Sequence, residues 1–89
     1  KDLATLLRME TDWKVLIVGH TDTVGALDAN VVLSRRRATA VRQHLIEVEG
    51  MDRSRFEVAG AGYMAPLTQN ATADGREENR RVEVVLITP

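Results

Sequence analysis

Lys14-Val15-Leu16-Ile17-Val18-Gly19, continued by His20-Thr21-Asp22, is the stretch on which the fold turns. Its β-branched apolar run has the length and composition of a strand buried on both faces, and it reads as the central strand of a sheet. From His20 to Asn30 the chain is rich in Thr, Asp and Gly, as a loop at the strand's carboxyl end would be. Upstream, Leu3, Leu6 and Leu7 share one face at helical spacing, so residues 2–10 are expected to form an amphipathic helix that Thr11-Asp12 interrupts. Downstream, Ser34 reads as the N-cap of a second helix, whose apolar stripe Ala38, Val41, Leu45 and Val48 ends before Gly50.

Phe56-Glu57-Val58-Ala59 alternates as a short strand does, and Gly60-Ala61-Gly62 is expected to end it. A strand, a crossover helix and a strand within roughly 45 residues make a right-handed βαβ unit with parallel strands. Residues 61–75, with Pro66, Asn70 and Gly75, read as a long irregular connection. Arg76 to Arg81 has room for one or two helical turns, and Val82 to Ile87 is the last strand. Nothing in the pattern marks a repeat or a linker, and 89 residues leave room for one domain, 1–89.

Composition narrows the function. Hydrophobic residues at 44% and charged residues at 28% are ordinary globular usage. No apolar run exceeds the length of Val15 to Val18, which is too short to span a bilayer, so direct membrane insertion by this domain is not expected. The absence of cysteine excludes disulfides, thiolate metal sites and cysteine nucleophiles. A net charge of -1 with 3% aromatics offers neither a basic field nor stacking platforms, which argues against nucleic acid as a partner. Ten of the twelve cations are nonetheless arginine, the side chain whose planar fork fits carboxylate or phosphate.

Polar residues of interest converge where the central strand ends and the long helix begins, the side of an open α/β sheet on which ligands bind. Asp22 supplies a carboxylate. Arg37 falls near position N3 if Ser34 caps the helix, beside first-turn amides that attract anions. Such a pair is complementary to a ligand with an ammonium and a carboxylate on one carbon, an amino acid in zwitterionic form. The competing expectation is that Asp22 and Arg37 simply pair with each other and hold the loop on the helix.

Three separated blocks carry a further signal: Gly19-His20-Thr21-Asp22 with Gly25, Asn30, Leu33-Ser34, Arg37-Ala38, Val41 and Leu45; then Gly60-Ala61-Gly62 with Pro66 and Asn70; then Gly75-Arg76 and Asn79-Arg80-Arg81-Val82-Glu83. In this order and spacing they closely resemble the OmpA-like domain that anchors envelope proteins of Gram-negative bacteria to peptidoglycan, over about residues 15–86. The resemblance implies an α/β fold, a βαβαβ two-layer sandwich with helices packed on a mixed sheet. It also implies no catalysis, no cofactor, a periplasmic location in an envelope-associated protein, and recognition of the diaminopimelate residue of the wall's stem peptide. Carried over, Asp22 takes the ligand's ammonium, Arg37 forks onto its carboxylate, Asn30 lines the pocket and Arg80 closes its other side. Backbone groups around Thr21 and Leu33 add donors or acceptors. The family pattern opens with a strand before the first helix, and this chain is expected to lack it. That leaves a sheet edge open and raises a second expectation, a protein-interaction module that recruits a partner strand. A homodimer is left open.

Rival readings of the same residues are weaker. His20 and Asp22 alternate along an extended segment, but the second histidine, His44, lies far along the crossover helix, so no metal site is expected. Ser34, His20 and Asp22 are the residue types of a hydrolase triad without the Gly-x-Ser-x-Gly turn that presents such a serine, so no catalytic residues are expected. Arg35 and Arg36 read as a solvated face.

Overall fold

Alternating burial along the central strand organises the molecule, with Val15 and Ile17 fully enclosed and Lys14 exposed. The computed structural model describes residues 3–88: helix α1 (Leu3–Met9), strand β1 (Lys14–His20), helix α2 (Leu27–Glu47), a 3-10 turn (Arg53–Arg55), strand β2 (Phe56–Gly62), helix α3 (Ala73–Asn79) and strand β3 (Arg81–Thr88). The sheet runs β2-β1-β3, with β1 parallel to β2 and antiparallel to β3. The expected α/β architecture, helices on a mixed sheet with the first apolar run at its centre, is therefore present.

Helix α2 packs across β1 and β2, sealing Ala38 and Leu45 against Val15, Ile17 and Phe56, while α1 contributes Ala4 and Leu7. It scarcely covers β3, whose Val84 and Leu86 remain 41% and 46% exposed. At the amino end of β1, Arg55 donates to the carbonyls of Leu7 (2.8 Å), Trp13 (3.0 Å) and Glu10, and so fastens the end of α1 to the turn before β2.

Several boundaries differ from expectation, each for a physical reason. Helix α2 starts at Leu27, so Ser34 is not its N-cap; the N-cap is Ala26, which has no side-chain capping bond. Asn30, Val31 and Val32 are weak helix formers, but here the turns that carry them dock on glycines of the sheet through Leu27, Val31 and Ser34. A Cβ at Gly60 would stand 2.5 Å from the Val31 carbonyl oxygen, and one at Gly19 only 1.9 Å from that of Ser34. Ser34 is instead a fully buried tether: its hydroxyl donates to the Val31 carbonyl (2.9 Å) and accepts from the Gly62 N–H (3.0 Å). For the same reason Gly60-Ala61-Gly62 extends β2 rather than ending it, and the register slips between Gly19 and His20 so that His20 pairs with Gly62 at φ +57°. The loop expected from His20 to Asn30 shrinks to the residues between β1 and α2. Helix α3 starts at Ala73, because the Thr72 hydroxyl accepts from the Gly75 N–H at 3.0 Å. Residue 2, where the first helix was expected to begin, lies outside the described residues.

Candidate functional site

The carboxyl end of β1 delivers Asp22 into a short, tightly bonded loop. Asp22 is 6% exposed, and its Oδ1 accepts from the Val24 N–H at 3.0 Å in an Asx turn. Its Oδ2 accepts from Arg80 Nη1 in an ion pair. The Val24 bond is the main influence holding the Asp22 carboxyl below its ordinary range; burial opposes it, and the Arg80 bond and charge, with the charge of Arg76, add to it. Asp22 is therefore an anion at neutral pH.

The neighbouring expected residues shape that loop. The Thr21 N–H donates to the Gly62 carbonyl (2.7 Å) and its hydroxyl to the Asp22 carbonyl (2.9 Å). Asn30 is buried in the first turn of α2, and its amide donates to the Val24 carbonyl at 2.9 Å, across a turn in which Gly25 adopts φ +93°. Both side chains thus fix the backbone that presents Asp22.

Arg37 stands elsewhere than expected. With α2 starting at Leu27, it lies about three turns into the helix rather than near N3, so first-turn amides do not reinforce it. It is exposed, and among the described residues no hydrogen bond or ion pair engages it. Asp22 and Arg37 are not paired: Arg80 has taken the carboxylate. Arg37 and Arg80 instead border one groove of about 520 Å³ between α2 and β3, with Arg81, Ala40, Val41 and Val82. Leu33 sits one helical turn before Arg37 on the same face. The backbone role expected of Leu33 is corrected too, because inside a helix the N–H and C=O bond along the ladder. What it offers is a side chain that is 40% exposed.

The terminal block does more than supply Arg80. Asn79 is fully buried, accepts from the N–H groups of Leu67 (2.7 Å) and Thr68 (3.0 Å), and donates to the Thr68 carbonyl and Asn70 Oδ1 (both 2.9 Å). Arg76 donates to the Asn70 carbonyl at 3.0 Å. One amide thereby folds the connection after β2 and sets the position of Arg80 beside it. The motif was legible in the sequence; that Asn79 is a hub was not, since an asparagine in a polar stretch looks the same whether buried or solvated. His20 is buried as well, its Nε2 2.7 Å from Glu83 Oε1, and this bond is the main cause holding the Glu83 carboxyl below its ordinary range. Among the described residues no cluster of three His, Asp or Glu side chains is placed to hold a metal.

With this geometry in view, the chain compares closely with known proteins. The model of the OmpA family matches residues 1–80. The chain belongs to the OmpA family. This OmpA-family domain is 42% identical over 83 residues to outer membrane porin F of Pseudomonas aeruginosa, covering 93% of the chain and 24% of that protein. It is 37% identical over 84 residues to the peptidoglycan-binding protein ArfA of Mycobacterium bovis, covering 94% of the chain and 26% of that protein. The chain thus spans about a quarter of the length of these curated relatives. The peptidoglycan-associated lipoprotein of Burkholderia pseudomallei has the same fold, with a TM-score of 0.87 at 29% identity over 93% of this chain and 70% of that one.

Proposed function

We propose that this OmpA-family domain binds peptidoglycan non-covalently, without catalysis, through the diaminopimelate residue of the stem peptide. In doing so it anchors an envelope protein to the wall from the periplasmic side. The observation that carries the reading is that Arg80, ion-paired to the buried and ionised Asp22, also borders the groove lined by the exposed Arg37, which has no partner of its own. A zwitterionic ligand presents its ammonium to Asp22, which then shares its oxygens between the ligand and Arg80, and its carboxylate to the Arg37 fork. Asn30 and Thr21 hold the Asp22 loop, and Leu33 lines the approach. Two kinds of known protein support peptidoglycan as the partner, a relative named as peptidoglycan-binding and a structural neighbour named as peptidoglycan-associated, and the choice of diaminopimelate within it rests on the charges alone. No described helix is long and apolar enough to cross a membrane.

Co-sedimentation with purified sacculi tests this. Arg37→Ala and Asp22→Ala should each abolish pelleting while far-UV circular dichroism keeps its native shape, and Arg37→Lys should fail too, because a point charge cannot reproduce a two-pronged contact. If the two alanine variants pellet like the parent, the pocket is wrongly assigned. A second reading, recruitment of a partner strand without a wall ligand, draws on β3, an edge of the described sheet whose Val84, Val85, Leu86 and Ile87 are 41–46% exposed. Calorimetric titration with diaminopimelate-containing peptides separates the two: saturable heat supports the first, and its absence the second.

A further inference from the structure

Away from the groove, on the flank of α2 that faces β2, three other guanidinium groups gather. Arg35 and Arg42 are seven residues apart and so fall on one stripe of the helix, and Arg35 Nη1 donates to the Val58 carbonyl at 3.2 Å. Beyond the helix, the Met51 N–H donates to the Leu45 carbonyl at 3.0 Å, which folds the chain back along the last turns of α2 and puts the exposed Arg53 within electrostatic reach of Arg42. Arg42 is half-buried, and its Nε is shut off from solvent with no acceptor. Burial first, then the like charges of Arg53 and Arg35, hold this guanidinium below its ordinary range. Among the described residues no carboxylate pairs with Arg35, Arg42 or Arg53, although Arg8, Arg80 and Arg81 each have one.

Three cations drawn together without a carboxylate partner, with the Arg53 side exposed, are complementary to a bound anion. We propose that Arg35, Arg42 and Arg53 form a second site, separate from the Asp22–Arg37 site, that binds a phosphate group. A tetrahedral oxyanion offers acceptors in several directions at once, as three guanidiniums arriving from a helix and a turn require, whereas a planar carboxylate accommodates one fork edge-on. A shallow groove of about 290 Å³ beside it, bordered by Val32, Arg35, Arg36 and Thr39, leaves the approach open. Phosphate of this kind comes either from a soluble phosphate compound or from a phospholipid headgroup.

Arginine Nε–Hε resonances of the 15N-labelled chain, followed by NMR, test the site. One arm titrates sodium phosphate against sodium chloride at matched ionic strength. The other adds phosphatidylglycerol vesicles against phosphatidylcholine vesicles. The Arg42 Nε–Hε signal should move saturably with phosphate and not with chloride. Arg53→Gln should weaken the response about tenfold, the worth of one charge-assisted hydrogen bond, and Arg8→Gln should leave it unchanged. A response to phosphatidylglycerol alone assigns the site to a headgroup, and a response to phosphate alone assigns it to a soluble compound. If neither moves Arg42 beyond its control, or if Arg8→Gln weakens binding as much as Arg53→Gln, the site does not exist. Sacculus pelleting by Arg53→Gln should equal the parent's, which separates this proposal from the wall-binding one.

Discussion

The two ends of β1 use the same side chain for opposite purposes. At the amino end Arg55 spends its donors on the carbonyls of Leu7, Glu10 and Trp13, and nearby Arg8 is paired with Glu49. At the carboxyl end Arg80 takes Asp22, and Arg37 is left exposed with no partner among the described residues. An arginine bonded to backbone carbonyls of another segment is a strut, because removing it strands the carbonyls it served. An arginine left free beside a pair that is already satisfied keeps its donors available, and on the proposed reading it is this one that receives the ligand. The packing differs in the same sense: α2 is held off the amino half of the sheet by Val15, Ile17 and Phe56, but meets the backbone directly at Gly19 and Gly60.

The largest effect that sharpens this contrast is expected at Gly19. An added methyl would stand 1.9 Å from the Ser34 carbonyl oxygen, so α2 must shift bodily, and Gly19→Ala should cost more than about 4 kcal/mol, leaving little folded protein in a urea titration. Next comes Arg55→Ala, which should lose about 2–3 kcal/mol in the same titration while the folded fraction pellets normally with sacculi. A loss of pelleting by that variant would break the division between the two ends. Arg80→Ala should cost only about 1 kcal/mol of stability, since the Arg80 side chain is 41% exposed, yet it should weaken sacculus binding measurably and by less than Arg37→Ala does.

The smallest effect concerns pH. The Asp22 carboxyl has a lower pKa folded than unfolded, so its contribution to stability is complete above the unfolded value of about 3.9 and fades as pH falls through the lower folded value. Asp22→Asn should therefore flatten the stability profile below about pH 4 and leave its slope near neutrality unchanged. A change confined to neutral pH would show that another group is responsible.

Much of this was readable from residues alone. The run Lys14 to Gly19 marked the central strand because a buried strand needs nothing but apolar side chains of the right length. Asp22 was recognisable by its place at that strand's end. The start of α2 was not, because Ala26 gives no capping signal and Asn30, Val31 and Val32 argue against a helix until their turns, through Leu27, Val31 and Ser34, lie on a sheet paved with glycine. Ser34 misled for the related reason that a serine able to cap a helix is equally able to bridge one to a strand. Misplacing that start also misplaced Arg37 by about two turns, although the ligand class inferred from its charge does not depend on which turn carries it.

Sequence by itself determined the mixed α/β class, the family, and the charges available near the end of the central strand, because strand periodicity, motif spacing and formal charge are properties of the chain in order. Tertiary structure alone decided who pairs with whom. Asp22 bonds Arg80 instead of Arg37 because α3 and the Asn79 hub bring residue 80 back across a separation of 58 positions, and no local pattern encodes a contact made by closing so long a loop.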